Sequence, residues 1–172
     1  PAPGQTEKKE REMGRCGGSQ KMAGESPVRA YIIDSSIAVK WFSQEAGTEA
    51  ALVLRDDAFS GKRLLEAPDL LLFELANALR FNSRFNAEDV KLALGSILDM
   101  GISFHHAEGP LLSRAVDLAF RYRLTVYDGC FIALADIRGL PLITADEKLM
   151  EKAGNHAGIL RLSDAIPEAS GD

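Results

Sequence analysis

The sequence predicts an α/β protein built on a parallel sheet of about five short strands, with helices on both faces. Two observations carry this. Short apolar runs alternate with helix-like segments along residues 28–166, and strands separated by helices build βαβ units and a parallel sheet. No repeat or linker interrupts that stretch, and 172 residues favour one domain of ordinary size.

The elements follow in order. VRAYII, bounded by Pro27 and Asp34, reads as a buried first strand. SSIAVKWF then reads as a short helix capped by Ser35 or Ser36. Residues 46–58 have helical composition, and LLEAP reads as a second strand. Residues 69–84 form a helix starting at Asp69, with Leu71, Leu72, Leu75 and Leu79 as its apolar stripe. Asn86 caps the next helix, whose Val90, Leu94, Ile97 and Leu98 face inward and which Gly101 ends. ISF is a short strand, and GPLLSRAVDLAFRY is a helix with Pro110 near its first position. YDGCFIALADIRG is a helix closed by Gly139, followed by the strand PLIT, the helix ADEKLMEKA and the strand GILRL.

Residues 1–27 read differently. They are rich in Gly, Pro, Lys and Glu and nearly free of large apolar groups, so a disordered or weakly ordered leader is expected there, and a C-terminal tail over 167–172. The chain opens on Pro1, and Met13 and Met22 are both candidates for a natural start. The leader lacks the apolar core of a signal peptide, and no apolar run is long enough for a transmembrane helix. The two cysteines, Cys16 and Cys130, form no disulfide framework, so a reducing cytoplasm is expected. Twenty basic residues against 25 acidic ones give a net charge of −5. That balance argues against a DNA-coating protein, but not against a nuclease whose acidic site holds cations.

The placement of certain acids is the informative feature. Asp34 ends the first strand and Asp146 follows PLIT; in parallel sheets, ligands bind beyond such strand ends. Asp128 opens a helix, and Glu74 lies on a Leu-rich one. Each falls in apolar context, where a carboxylate is costly unless paired or coordinating a metal. Taken singly, Asp34, Asp128 and Asp146 read equally well as helix caps. Together, four half-buried acids with few basic neighbours point to a hard divalent cation, Mg²⁺ or Mn²⁺, and to phosphoester hydrolysis.

Four blocks, AYIIDSSIAVKWF, APDLLLFELANALR, LTVYDGCFIALADIRG and LPLITADEKL, resemble the PIN domain in order and spacing, and in particular the VapC toxins of toxin–antitoxin systems. The resemblance covers about residues 29–163. It implies a three-layer α/β/α sandwich and a Mg²⁺- or Mn²⁺-dependent ribonuclease with one or two ions per site. Asp34 and Asp128 would be direct ligands, with Asp146 completing the shell directly or through water. Glu74 would hold a second ion or orient the attacking water. Ser36, Asn77 and Thr144 would line the pocket, and Gly129 stands where many relatives carry Ala. The resemblance also implies a cognate antitoxin, a homodimer and an RNA substrate.

Arg80 and Arg84 are placed on the Glu74 side of their helix by their spacing and, with Lys40, are candidates for RNA contact. Trp41 is a candidate for base stacking, although a core or dimer contact fits it better. Adjacent histidines on a strand point to opposite faces, which argues against His105 and His106 sharing one ion; His156 likewise stands alone. Cys130 reads as a small core residue. Two further functions compete with the toxin reading: an RNA-processing nuclease of the same fold outside a toxin–antitoxin pair, and an interaction or regulatory protein with little activity. A haloacid-dehalogenase-type phosphatase would want Asp-x-Asp where Asp34-Ser35-Ser36 stands. A receiver domain would want an acid after the third strand, where ISFHH has none.

Overall fold

The computed structural model describes residues 29–166. The expected leader and tail, and with them Cys16, lie outside the described residues. The chain order is β1 (Arg29–Ile33), α1 (Ser35–Lys40), α2 (Thr48–Phe59), β2 (Arg63–Pro68), α3 (Leu70–Phe81), α4 (Ala87–Asp99) and β3 (Ser103–His105). There follow α5 (Gly109–Tyr122), α6 (Val126–Arg138), β4 (Leu142–Thr144), α7 (Glu147–Ala153), β5 (Ile159–Arg161) and α8 (Leu162–Ala165).

The five strands pair in the order β3-β2-β1-β4-β5, all parallel. The chain steps outward from β1 through β2 to β3, then returns to lay β4 on the other side of β1. Right-handed crossovers therefore put helices on opposite faces for the two halves. α6 lies against β1, β2 and β4, with α5 packed along it, while α2 contacts β2 and α8 contacts β4 and β5. Successive residues Tyr31, Ile32 and Ile33 are all buried. That pattern requires cover on both faces, as the unbroken apolar run implies. β4 joins β1 through Ile32 opposite Leu142 and Ile33 opposite Ile143, so the reversal in strand order falls between the ends of these two strands.

Local signals hold in most places. Asn86 forms a full capping box with Asp89 at the start of α4, Pro110 sits in the first turn of α5, and Gly139 closes α6. Four expectations are corrected. α1 is capped by Asp34, not by Ser35 or Ser36. Leu98 is 57 % exposed, because α4 packs along Ala93 and Ile97 and Leu98 lies beyond that stripe. α3 ends at Phe81, where Asn82 turns extended with ψ 115° and its side chain accepts from the Arg84 amide at 3.0 Å. Arg84 therefore sits in the connecting turn and does not share a helix face with Glu74. The four-residue α8 was not expected; its buried Leu162 and the following Ile166 pin the end of β5.

Trp41 belongs to the core, its indole N–H donating to the Ala51 carbonyl at 2.8 Å. Lys40 closes the α1–α2 loop, donating to Glu45 at 3.0 Å and to the Ala46 carbonyl at 2.9 Å. The loop then turns through Gly47 at φ +81°, a conformation that side chains disfavour.

The strand LLEAP carries a buried acid, Glu66, held by partners at the surface. Glu66 receives Arg138 in a two-pronged pair, at 2.8 and 3.0 Å, and His105 at 2.7 Å. Burial alone would raise the Glu66 carboxyl; Arg138 and His105 outweigh it and hold the group below its ordinary value. An acid depressed on folding contributes stability above its unfolded pKa and loses it as pH falls through the folded one. Glu66→Gln is expected to lower the melting temperature by about 3–8 °C at pH 7. The deficit should shrink below about pH 4.5, the ordinary value for this group. A pH-independent deficit in thermal melts would show that shape, not charge, is what Glu66 contributes.

Candidate active site at the sheet switch point

Asp34 stands where β1 gives way to α1, in extended conformation and buried. One carboxylate oxygen accepts from the Ser36 amide at 3.0 Å and the Ser36 hydroxyl at 2.5 Å. The other accepts from the Thr144 hydroxyl at the end of β4. Each hydroxyl also accepts: Ser36 from the Ala145 amide and Thr144 from the Asp146 amide, both at 2.9 Å. The two strand ends are thereby stitched through Asp34. Burial pushes its carboxyl up to about 6 against the pull of Ser36 and Thr144, and the charge of Asp146 adds to the rise.

Asp146 caps α7, one oxygen accepting from the Lys148 amide at 2.8 Å and the Leu149 amide at 3.3 Å. Asp128 sits in the first turn of α6, one oxygen accepting from the Thr125 hydroxyl at 2.8 Å while Thr125 accepts from its amide at 3.0 Å. Each of these acids leaves its second oxygen without a protein donor among the described residues. Glu74 projects half-buried from α3. Burial raises its carboxyl, the Ser35 hydroxyl draws it back, and the charges of Asp128 and Asp146 raise it further. Asp146 thus lies within electrostatic reach of both Asp34 and Glu74, and Asp128 within reach of Glu74. None of the four is in an ion pair among the described residues.

All-oxygen donors, two of them with a free oxygen, and uncompensated repulsion suit a hard divalent cation. Yet among the described residues no three acidic, histidine or cysteine side chains stand close enough together to hold a metal ion as they are. The donor chemistry fits; the ligands are not drawn in around a point.

The other candidates separate. Asn77 and Arg80 lie exposed on α3, the guanidinium 4.9 Å from the Phe81 ring centre. Lys40 is engaged in its loop. His105 and His106 take different carboxylates, Glu66 and Asp69, and His156 bridges Tyr122 and Asp136. Cys130 is buried behind Asp128, where burial and then the charges of Glu74 and Asp69 push its thiol up, so it is not a poised nucleophile.

Two features escaped the sequence reading. TVYD carries the Thr-x-x-acid spacing of a capping box, and Thr125 is what orients Asp128. Gly129 is required by close approach, for a Cβ there would stand 2.5 Å from the Ala115 carbonyl oxygen. Its absence from the side-chain inventory lets α5 press directly on the turn that carries Asp128.

The model of the PIN domain family matches residues 31–155, and the chain belongs to that family. It is 29 % identical over 125 residues to Ribonuclease VapC3 of Pyrobaculum aerophilum, spanning 70 % of this chain and 92 % of that protein. The crystal structure of PAE2754 from Pyrobaculum aerophilum is similar with a TM-score of 0.56 at 24 % identity, over 81 % of this chain and 93 % of that one. A toxin–antitoxin complex from Klebsiella pneumoniae contains a chain similar with a TM-score of 0.57 at 15 % identity, over 77 % and 97 % of the two chains. These likenesses identify the same three-layer α/β/α fold.

Two outcomes test the geometry. An acid raised on folding loses stability as pH climbs from its unfolded to its folded pKa. Asp34→Asn should therefore gain stability relative to the parent as pH climbs from 4 to 7 without divalent metal, by on the order of 1–3 kcal/mol, on top of a pH-independent loss from giving up the acceptor opposite the Thr144 hydroxyl. The gain should vanish toward pH 4 and narrow when Mn²⁺ is added. Gly129→Ala sets helix propensity, about 1 kcal/mol in favour, against overpacking, about 1–3 kcal/mol. The backbone oxygen at 2.5 Å decides for destabilisation; an unchanged denaturation midpoint would mean that α5 yields freely.

Proposed function

We propose that this chain is a metal-dependent endoribonuclease that hydrolyses RNA phosphodiester bonds as the toxin of a VapBC-type toxin–antitoxin pair. The observation that supports the reading is the placement of carboxylates without ion-pair partners near the switch point of a PIN-family sheet, Asp146 close enough to act on both Asp34 and Glu74, and Asp128 on Glu74. Asp34, Asp128, Asp146 and Glu74 would hold one or two Mg²⁺ or Mn²⁺ ions, which when bound supply Lewis-acid stabilisation of the phosphate and a more acidic water. Asp34 is the immobile member, fixed by Ser36 and Thr144. Asp128 and Asp146 each offer a free oxygen from a capped helix turn. Glu74, with its raised carboxyl, is placed to orient the attacking water and receive its proton. In-line attack by a water so oriented would break the P–O3′ bond, with the departing 3′-oxygen taking a proton from solvent, and would leave a 3′-hydroxyl and a 5′-phosphate. Asn77 lines the approach, and Arg80 and Arg84 offer cations to the RNA backbone.

The toxin–antitoxin complex among the solved structures of this fold supports an antitoxin as partner, and a homodimer fits the same reading. No helix among the described residues is long and apolar enough to cross a membrane; we place the protein in the cytoplasm. The loosely gathered carboxylates favour one alternative, an interaction or regulatory protein of this fold. Calorimetric titration with Mn²⁺ separates the two, since that alternative predicts no binding.

The decisive experiment compares parent and Asp34→Asn on single-stranded RNA in Mg²⁺, with the product ends sequenced. The parent is expected to give 5′-phosphate ends, and the variant to be slower by about 100-fold or more while folded. Equal rates would overturn the mechanism.

A further inference from the structure

A groove of about 500 Å³ runs between α3 and α4, lined by Phe73, Ala76, Asn77, Arg80, Phe85 and Asn86 among others. The fold does not explain it. α3 packs through Leu71, Leu75 and Leu79, so Phe73 and Phe81, 72 % and 73 % exposed, contribute nothing to the core. Phe73, Asn77 and Arg80 recur at helical spacing and form one stripe, and Glu74 occupies the neighbouring one. The groove therefore lies beside Glu74 on the same helix, although none of the four acids lines it.

Its chemistry selects its occupant. Arg80 has no carboxylate partner among the described residues, and its guanidinium lies over the Phe81 ring. The Asn86 carbonyl oxygen is already used in capping α4, so that side chain presents its NH₂ donors. A flat apolar wall, an unneutralised cation and amide donors suit a base flanked by phosphate. An apolar protein helix would make no use of the exposed Arg80 charge, whereas a phosphate would pair with it.

We propose that the α3–α4 groove is a nucleobase subsite: an unpaired base of an RNA strand passing Glu74 stacks on Phe73, and Arg80 takes the adjoining phosphate. The assignment rests on the reading of the neighbouring cleft as a ribonuclease site, and its test separates the two. Fluorescence anisotropy is measured with the full chain carrying Asp34→Asn, so that RNA survives. The probes are a labelled single-stranded RNA and an abasic strand of the same length. The base-bearing strand should bind about tenfold tighter. Adding Phe73→Ala should erase that preference, and Phe73→Trp should keep or widen it. Arg80→Ala should weaken both strands alike and reduce the salt dependence by about one phosphate. Both side chains are exposed, so melting temperature should not change.

A preference that survives Phe73→Ala, or no preference at all, overturns the subsite; a groove reserved for an acidic peptide gives the second result. RNA cleavage in Mg²⁺ by the parent, with base preference independent of Phe73, would leave the nuclease reading standing without the subsite. A Phe73-dependent preference in a chain that does not cleave would do the reverse.

Discussion

The carboxylate of Asp34 is the constraint on which the rest of the site depends. It is a charge-bearing group placed where β1 and β4 diverge, and its three donors come from α1 and from the end of β4. Removing any of them would leave a buried acceptor unsatisfied, which costs more than a made hydrogen bond contributes. The sheet order makes this possible. Only because the chain returns to lay β4 beside β1 do residues 110 positions apart meet. The same reversal is where sheets of this kind leave a crevice at the strand ends, and here it is where Asp34 joins β1 to β4.

Helix caps and candidate site acids are the same residues here. Asp34 and Asp146 cap α1 and α7, and Asp128 completes a capping box at α6. The two readings that seemed to compete are compatible, because a capping carboxylate uses one oxygen on backbone donors and can offer the other outward. Capping contributes about 1 kcal/mol at each position, and the positive end of each helix favours an anion there. These terms offset part of the repulsion that gathering the acids creates. They do not remove it: burial is what chiefly raises the Asp34 and Glu74 carboxyls, and the charges of the neighbouring acids add to the rise.

What could be read from the sequence was what adjacent residues decide. The β1 run, the Asn86 capping box, Pro110 and Gly139 each announce themselves within a few positions, and the acids could be ordered because strand ends were visible. What could not be read depends on distant partners. Glu66 looks like a stray acid in a strand until Arg138, 72 residues on, folds across it. Gly129 looks like an indifferent small residue until Ala115 approaches. Arg84 leaves the expected helix for a local reason, because Asn82 ends α3 and its side chain accepts from the Arg84 amide, which helical composition does not register. Leu98 faces solvent because α4 packs along too narrow a stripe for all five of its large apolar residues, and Leu92 is left out with it.

Net charge illustrates the same divide between sum and placement. A total of −5 describes the protein as seen from beyond a Debye length, about 10 Å at moderate salt. A phosphate inside the cleft meets the local set instead. α3 shows how steep that local variation is: within one helix, Leu71, Leu75 and Leu79 face the core, Glu74 faces the acids, and Arg80 faces solvent beside an aromatic ring. Successive positions lie about 100° apart around the axis, so a single residue step changes the environment from anionic to apolar. A divalent cation in the cleft would reverse the sign there while leaving the rest of the surface as it is. Whether a polyanion is admitted is therefore decided by the occupancy of a few oxygens, not by the balance of the whole chain.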